Sequence, residues 1–465
     1  MFALLQIVLG AAFVLAFGSV GRSLSTQGDV ERWRSLGAQS WGVATPDDWS
    51  GVRCVLELFD AAEAAAGAAP DRSHGPFGGR RVEYVAGYES ILVGYELEDP
   101  ELVAQTEAID AARAAPALAA IEAMRTNGLF DAIAALRGLH PVYEHWDQSP
   151  PGSGWDVTPS SGLFDLIDLR ILSHALIRAA DEDLAAGDEL SAVACVAHSW
   201  TLARVLVHQP HLGARATGAA VYGSGLRWVL DAVNHGRLSV AAVDALRGEL
   251  EMHAPPSLGP MFLGESLLAK ANLASLDANG WLIMFNAAAQ YRPVERHYRR
   301  LSGAAVLPVR DGVRASDAAS AAMDQLWFWR YPMAKTSVIW GSGWIVQYAS
   351  LETMRRAVRV ALALEGYRLR NGEFPPELRS VGGLADEALI ADVFNIGGLV
   401  YRVGADPTLP AAGGGCALYA LGFDGVDDGG RGYVGRRSLA YDLDASGEDD
   451  VFLGSIEAKS EGGSR

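Results

Sequence analysis

Twenty uncharged residues stand near the start of the chain. Residues 2–21, FALLQIVLGAAFVLAFGSVG, contain no charged side chain, and Arg22 ends the run. About 20 apolar residues in an α-helix, rising about 1.5 Å per residue, match a hydrocarbon core about 30 Å thick. The pattern predicts a transmembrane anchor over residues 1–21. A cleaved signal peptide is the alternative, because Ala16-Phe17-Gly18 offers small residues around a cleavage point.

Residues 22–148 follow as a helical N-terminal region. Asp48 can cap a helix, because apolar residues recur after it at Val52, Val55 and Phe59. A later alanine-rich run is closed by Asn127-Gly128. The segment SPPGSG (149–154) is rich in Pro, Gly and Ser, and it predicts a linker over residues 149–160.

The most regular helical spacing lies in residues 163–252. Leucines recur there at Leu163, Leu166, Leu169, Leu172 and Leu176. We predict consecutive antiparallel helices without strands, broken at Gly187-Asp188, at Pro210 and Gly213, and at Gly236. Helical hairpins of about 40 residues indicate an α-hairpin array, which we place over 161–340.

Residues 255–340 carry a basic patch and an aromatic run. The basic patch spans Arg292–Arg300, and the aromatic run is Trp327-Phe328-Trp329-Arg330-Tyr331. The aromatic run fits a buried core or a seam between domains. It also fits an aromatic surface that meets a membrane or a partner.

The last quarter of the chain changes character. A helix is predicted from Trp344 to about Arg370, closed by Asn371-Gly372 as a left-handed cap. Short strands are predicted at Leu399–Val403, Cys416–Leu421, Ser438–Tyr441 and Asp450–Leu453. The pattern predicts a small α+β module over 341–455, followed by a disordered tail at 456–465. The fold class expected for the whole chain is mainly α.

Four segments of this module resemble the major pseudopilin of type II secretion systems. ALEGYRLRNGEFPPEL (363–378) resembles that family's helix end and loop, and DVFNIGGLVYRV (392–403) resembles its turn into the sheet. GGGCALYALGFDGVDDGG (413–430) and DLDASGEDDVF (442–452) resemble its strand with loop and its acidic close. The resemblance covers about 345–455. It implies an extracytoplasmic α+β module.

Acidic residues crowd two loops of the same module. Asp442-x-Asp444-x-Ser446-Gly447 matches the first half of a calcium-binding loop, but Leu453 stands where the closing Glu belongs. Pseudopilins hold calcium in this region, which the resemblance carries over as an expectation. Solvated turn acids are the alternative. The candidate calcium ligands are Asp424, Asp427, Asp428, Asp442, Asp444 and Asp449.

The bulk composition excludes several function classes. A formal charge of −18 makes nucleic-acid binding improbable, because an acidic surface repels phosphate backbones. The three cysteines are isolated, and no C-x-x-C or H-E-x-x-H pattern is present. His198, His208 and His211 lack an acidic residue to complete a metal site, so we interpret them as structural. No catalytic residue or organic cofactor is nominated.

These observations favour a membrane-tethered protein of the bacterial cell envelope with an extracytoplasmic body. Its expected role is that of a non-enzymatic scaffold that contacts other envelope proteins, since stacked helical hairpins expose long faces. An exported hydrolase, with a site assembled across several helices, is the alternative.

Overall fold

The computed structural model describes residues 31–66, 118–143, 160–278, 287–326, 331, 334–335, 338–339, 341–382, 384, 393–394, 398–403, 416–421 and 451–456. Over these residues the protein is mainly α-helical, as predicted. The principal helices are α1 (Ser50–Ala65), α2 (Leu129–Ala135), α3 (Ser160–Ala185), α4 (Glu189–Val207), α5 (Leu212–Asn234), α6 (Val240–Met252), α7 (Gly259–Ala278), α8 (Ala287–Ala304), α9 (Val309–Asp324) and α10 (Ser342–Asn371).

Helices α3 to α6 confirm the prediction that residues 163–252 are helical without strands. Gly187 adopts a φ of +82°, a left-handed conformation that favours glycine, and so separates α3 from α4. Asp188 then caps α4, because its carboxylate accepts a hydrogen bond from the Ser191 backbone N–H at 3.1 Å. The expectation that Gly213 ends a helix is wrong.

Gly213 lies in the first turn of α5. The residue before that helix, His211, caps it by accepting the Ala214 backbone N–H at Nδ1, at 3.2 Å. A Cβ atom at position 213 would lie 2.9 Å from Cε1 of His211. Glycine is needed here because the capping imidazole folds over the first turn.

The N-terminal helices pack onto this body. Trp49, and not Asp48 as predicted, is the N-cap residue of α1, and no side chain caps that helix. Asp48 instead accepts the Ser50 backbone N–H at 2.9 Å in the turn before the helix. Val52, Val55 and Phe59 of α1 are buried in the same core as α2 and α3–α6. Gly128, with φ +85°, ends the preceding helical segment and begins α2.

Helices α7, α8 and α9 form a neighbouring group with its own apolar cluster. Phe262, Val294 and Leu301 are fully buried there. The first residues of α10, Ile345 and Ala349, belong to this cluster as well. The three helices therefore line one side of a core that α10 completes.

The long helix α10 continues from this cluster into the main core. Its buried residues from Leu351 to Leu364 pack with α5 and α6. Gly372 follows with φ +85°, and its N–H donates to the Arg368 carbonyl at 2.7 Å, so the predicted left-handed cap is confirmed. Whether the chain divides into domains at residue 341 stays a prediction.

Three strands form an antiparallel sheet in the order β1 (Val400–Val403), β2 (Cys416–Ala420) and β3 (Val451–Ile456). Val400 lies opposite Tyr419, and Cys416 lies opposite Ile456. Every residue of β2 is buried, because this central strand packs against α10. The strands predicted near 399, 416 and 450 are thus confirmed.

Several predicted features lie outside the described residues. These are the apolar segment 2–21, the linker around 149–154, the strand at Ser438–Tyr441, and most of the aromatic run, of which only Tyr331 is described.

Candidate functional site: a groove between α8 and α9

An open groove of about 400 Å³ runs between helices α8 and α9. Its size lies within the range of small-molecule and peptide subsites. Charged side chains line one wall, and apolar side chains line the other. The lining residues are Arg292, Pro293, Arg296, His297 and Arg300 on α8, with Ala319, Ala322, Met323, Leu326 and Tyr331 on the opposite side.

The basic wall is a ladder of three arginines. Arg292, Arg296 and Arg300 are four residues apart, so they lie on one face of α8 and are separated by about 6 Å along its axis. All three are exposed to solvent. Among the residues that the structure describes, no carboxylate pairs with them. With respect to the described residues, this arginine ladder is available to bind an anion.

The neighbouring Arg299 shows the contrast. It points away from the groove and pairs with Glu295 at 2.5 Å. Glu295 also accepts a hydrogen bond from Lys270 of α7 at 2.9 Å. The hydrogen bonds from Lys270 and Arg299 lower the pKa of Glu295, which stays ionised. On this side of α8 the positive charges are neutralised by the protein's own carboxylate.

A buried histidine fixes the width of the groove. His297 is 2% exposed, and its Nε2 lies 3.0 Å from the Ile339 carbonyl oxygen. Its Nδ1 lies 3.4 Å from the Ala319 carbonyl oxygen of α9. Both nitrogens face backbone oxygens, so this imidazole connects α8 to α9 and is not placed to act as a general base on a ligand.

The apolar wall comes from α9. Ala319, Ala322 and Met323 follow the spacing i, i+3, i+4, which places them on one face of α9, and Leu326 lies just beyond the end of that helix. Ala319 and Met323 are buried, so the half-buried Ala322 and Leu326 supply most of the accessible apolar surface of this wall. Because one wall is cationic and the other apolar, the groove suits a ligand that is both anionic and partly apolar.

A second polar cluster, which is partly buried, lies between the N-terminal segment and helices α4 and α6. Arg137 donates to Glu249 at 3.1 Å, and Glu249 lies 3.5 Å from Nε2 of His253. Arg204 donates to the Arg137 carbonyl at 2.7 Å and lies over the Trp41 ring. These contacts join the N-terminal segment to the helical body. Because its contacts are made between elements of the chain itself, we assign the cluster a structural role.

The three histidines considered from sequence have separate surroundings. The His208 ring stacks on Trp41 at 3.9 Å, and its Nδ1 lies 2.9 Å from the Ser40 carbonyl oxygen. Burial lowers the pKa of His208 to about 3, so it is neutral. His198 packs against Phe130, and His211 caps α5. Within the described part of the chain, no group of three His, Cys, Asp or Glu could hold a metal ion.

The six candidate calcium ligands, Asp424, Asp427, Asp428, Asp442, Asp444 and Asp449, lie outside the described residues. The calcium site therefore stays a prediction from sequence. The groove instead uses the basic patch that the sequence showed at Arg292–Arg300. Its four-residue spacing was visible, but the apolar wall was not, because that wall depends on how α9 packs beside α8.

Among the described residues, one helix is long and apolar enough to cross a membrane. It is α4, Glu189–Val207, and 78% of its most apolar stretch is buried. Its neighbours α3 and α5 cover it, as expected of a central core helix.

Comparison of the chain with models of protein families, with curated proteins and with solved structures finds no match in any of the three. The resemblance of residues 345–455 to a pseudopilin stays an expectation from sequence.

Proposed function

We propose that this protein is a membrane-tethered scaffold of the bacterial cell envelope whose helical body binds an anionic partner in the groove between α8 and α9. The arginine ladder, Arg292, Arg296 and Arg300, carries this proposal, since these side chains line a groove without a carboxylate partner among the described residues.

The charge balance of the chain supports a local rather than a general affinity for anions. The formal charge is −18, so the surface as a whole repels anions. An exposed ion pair contributes only about 0.2–1 kcal/mol, and several pairs in one groove add to contact with the apolar wall. We therefore expect modest affinity that weakens as added salt screens the charges.

A binding assay on the full-length protein in non-ionic detergent tests this function. The probe is fluorescein-labelled poly-L-glutamate, followed by fluorescence anisotropy. The test variant replaces Arg292, Arg296 and Arg300 together by alanine. A control variant replaces three other exposed arginines, Arg53, Arg299 and Arg314, which do not line the groove.

We expect at least tenfold weaker binding in the groove variant and a change of less than about threefold in the control. Both variants lose the same net charge, so the difference reports the location of the arginines. Equal losses in the two variants would show unspecific attraction and would refute a binding groove. No measurable binding by the unsubstituted protein would refute it as well.

The tether is a separate part of the proposal and rests on residues 2–21. Alkaline carbonate extraction of membranes should leave the full-length protein in the pellet, because about 20 apolar residues match the membrane core. Release of the full-length chain into the supernatant would contradict the tether without affecting the groove. The C-terminal module is the proposed site for other envelope proteins, and the order of long helix and antiparallel sheet supports its pseudopilin-like character.

A further inference from the structure

We infer that the tip of the hairpin formed by α8 and α9, residues 305–308, lies against the surface of an anionic lipid bilayer. This inference goes beyond the proposed function, because it concerns the part of the body that faces the membrane and not the groove. It follows from three features of the hairpin: two exposed aliphatic side chains at the tip, the arginines that flank them, and the position of the tip beside the first described residues.

Two neighbouring aliphatic side chains are exposed at the hairpin tip. Val306 is 71% exposed and Leu307 is 44% exposed. The turn holds them in place, because the Leu307 backbone N–H donates to the Ala304 carbonyl at 3.1 Å and Pro308 is the N-cap residue of α9. Single exposed aliphatic residues are common on protein surfaces. An adjacent pair at a convex tip can also enter the boundary between the headgroups and the acyl chains of a bilayer.

Arginines flank the tip on both helices. Residues 296–314 contain five arginines and one acidic residue, Asp311. Arg300 lies four residues before the end of α8, and Arg314 lies in the second turn of α9. Both side chains are exposed. The hairpin tip is therefore a basic region in a chain whose formal charge is −18, and guanidinium groups in this position complement the phosphates of anionic lipids.

The tip lies near the point where the described chain begins. Ser302, near the end of α8, lies beside Gly259 at the start of α7, since a Cβ atom on Gly259 would be 3.2 Å from its Oγ. Trp33 belongs to the same apolar cluster as Leu267 of α7. Leu267 is eight residues beyond Gly259, or about 12 Å along the axis of that helix. The first described residues therefore lie about two helical turns from the end of α7 that is beside the tip.

The proposed tether would bring this end of the body to the membrane. Residues 22–30 separate the apolar segment 2–21 from Glu31, the first described residue. A chain of nine residues spans at most about 30 Å when fully extended. Such a short connection raises the effective concentration of the tip at the bilayer surface, so a weak contact is sufficient. This step rests on the proposed tether, whereas the chemistry of the tip does not.

The shape of the tip favours a bilayer over a protein partner. A specific protein interface of standard size buries about 800 Å² on each partner. The turn of residues 305–308 presents two aliphatic side chains at a convex end, which is far less surface. A bilayer does not require a matching shape, because its headgroup region adapts to the side chains that enter it.

Leu190 provides a matched control for exposure. It is 58% exposed in the first turn of α4, so its exposure resembles that of Val306. Its neighbours are Asp188 and Glu189, so an anionic bilayer repels the surface around this aliphatic residue. If exposure alone decided contact with lipid, both positions would make it. If the flanking arginines decide it, only the hairpin tip does.

Fluorescence quenching in vesicles tests the inference on the full-length protein. The exposed Cys54 is replaced by serine, while Cys195 and Cys416 are buried and stay in place. An environment-sensitive fluorophore is then attached to Val306→Cys or to Leu190→Cys. Detergent removal incorporates the protein into vesicles of phosphatidylglycerol and phosphatidylcholine, or of phosphatidylcholine alone. A nitroxide-labelled lipid in these vesicles quenches a fluorophore that touches the bilayer.

We expect quenching at position 306 to exceed that at position 190 by at least about threefold in the anionic vesicles. Phosphatidylcholine alone should reduce quenching at position 306 by at least about half, because the arginines then lose the negative surface. Equal quenching at the two positions, or equal quenching in the two kinds of vesicle, would overturn the inference. A label at position 306 whose emission shifts to the blue without quenching would indicate contact with protein, and would overturn it as well.

A single substitution separates the tip from the groove. Leu307→Ser removes exposed apolar surface at the tip, and Leu307 does not line the groove. In the protein labelled at position 306, it should reduce quenching at least about twofold, because less apolar surface enters the bilayer. It should leave poly-L-glutamate binding in detergent within about twofold of the unsubstituted protein. Unchanged quenching would contradict insertion of the tip. Loss of poly-L-glutamate binding or release by carbonate would instead report failure of the groove or of the tether.

Discussion

Replacing Gly264 by alanine would make the added methyl group overlap main-chain atoms of Pro210, which lies between α4 and α5. A Cβ atom at position 264 would lie 1.7 Å from the carbonyl oxygen of Pro210 and 2.7 Å from its carbonyl carbon. Both atoms belong to the main chain, so no change of side-chain rotamer relieves the overlap. Helix α7 and the Pro210 segment would have to move apart.

The cost of that movement follows from the contacts around Gly264. Overpacking a core costs about 1–3 kcal/mol when neighbouring side chains can adjust, and more when they cannot. The next residue, Glu265, accepts the Leu212 backbone N–H at 2.5 Å, a contact that separation would stretch. Losing a buried hydrogen bond adds about 1–3 kcal/mol. We expect Gly264→Ala to lower the free energy of unfolding by at least about 3 kcal/mol.

Gly248 provides a matched control. It lies in helix α6, and nothing lies within 4 Å of a Cβ atom placed there. Gly248→Ala should stabilise the protein by about 0.5–1 kcal/mol, because alanine is the better helix former. Thermal unfolding of the two variants in detergent checks the pair. At about 2 °C per kcal/mol, Gly264→Ala should lower Tm by about 6 °C or more. A Gly264→Ala variant at least as stable as Gly248→Ala would refute the close approach of α7 to Pro210.

Three further outcomes are expected. Burial raises the pKa of the Glu265 carboxyl from 4.5 to about 7, so the unfolded chain gives up this proton at lower pH than the folded protein does. The free energy of unfolding should therefore fall by about 3 kcal/mol as pH rises from 4.5 through 7. Glu265→Gln should remove this part of the pH dependence in unfolding curves measured between pH 5 and 8. Burial lowers the pKa of His208 from 6.5 to about 3, so the free energy of unfolding should fall as pH drops below 6.5, by about 2 kcal/mol at pH 5. His208→Gln should reduce this loss of stability between pH 7 and 5. An unchanged loss in the variant would contradict a buried neutral imidazole. If the acidic loops bind calcium, the full-length protein should have a higher Tm in millimolar calcium than in chelator. The added free energy of unfolding should be about 2.7 kcal/mol at a hundredfold excess over Kd, and Asp444→Ala should reduce the difference. An identical Tm in calcium and chelator would favour solvated turn acids.

Local signals in the sequence were sufficient to place most helix ends and strands. Gly187, Gly236 and Gly372 adopt positive φ values where breaks were predicted, because a left-handed residue is a local requirement that glycine meets. The strand predicted at Cys416–Leu421 is observed at Cys416–Ala420. The prediction at Gly213 was wrong, because the sequence does not distinguish a glycine that makes room for a capping imidazole from a glycine that ends a helix.

Features that depend on pairing between distant elements were not predictable in this way. The spacing of Arg292, Arg296 and Arg300 is local to α8, and it could be read from the sequence. The apolar wall opposite the ladder depends on which face of α9 turns towards α8. His297 helps to decide this by connecting the two helices through backbone carbonyls, and no spacing along the chain reports such a contact.

The long helix α10 shows the same limit and bears on how the chain is organised. The spacing of Leu351, Met354 and Val358 along the sequence indicates one apolar face on this helix. Residues 360–366, however, are buried without interruption, so every face of that segment is covered. Glu365 is among them, and its carboxylate accepts two hydrogen bonds from Arg368, at 2.7 and 2.6 Å. Helices α5 and α6 and strand β2 pack around this part of α10. A helix enclosed in this way is a member of the helical body as much as of the sheet that follows it. If a pseudopilin-like module is attached to this body, the part that packs separately begins after Gly372. Helix α10 itself connects the sheet to the apolar cluster of helices α7, α8 and α9.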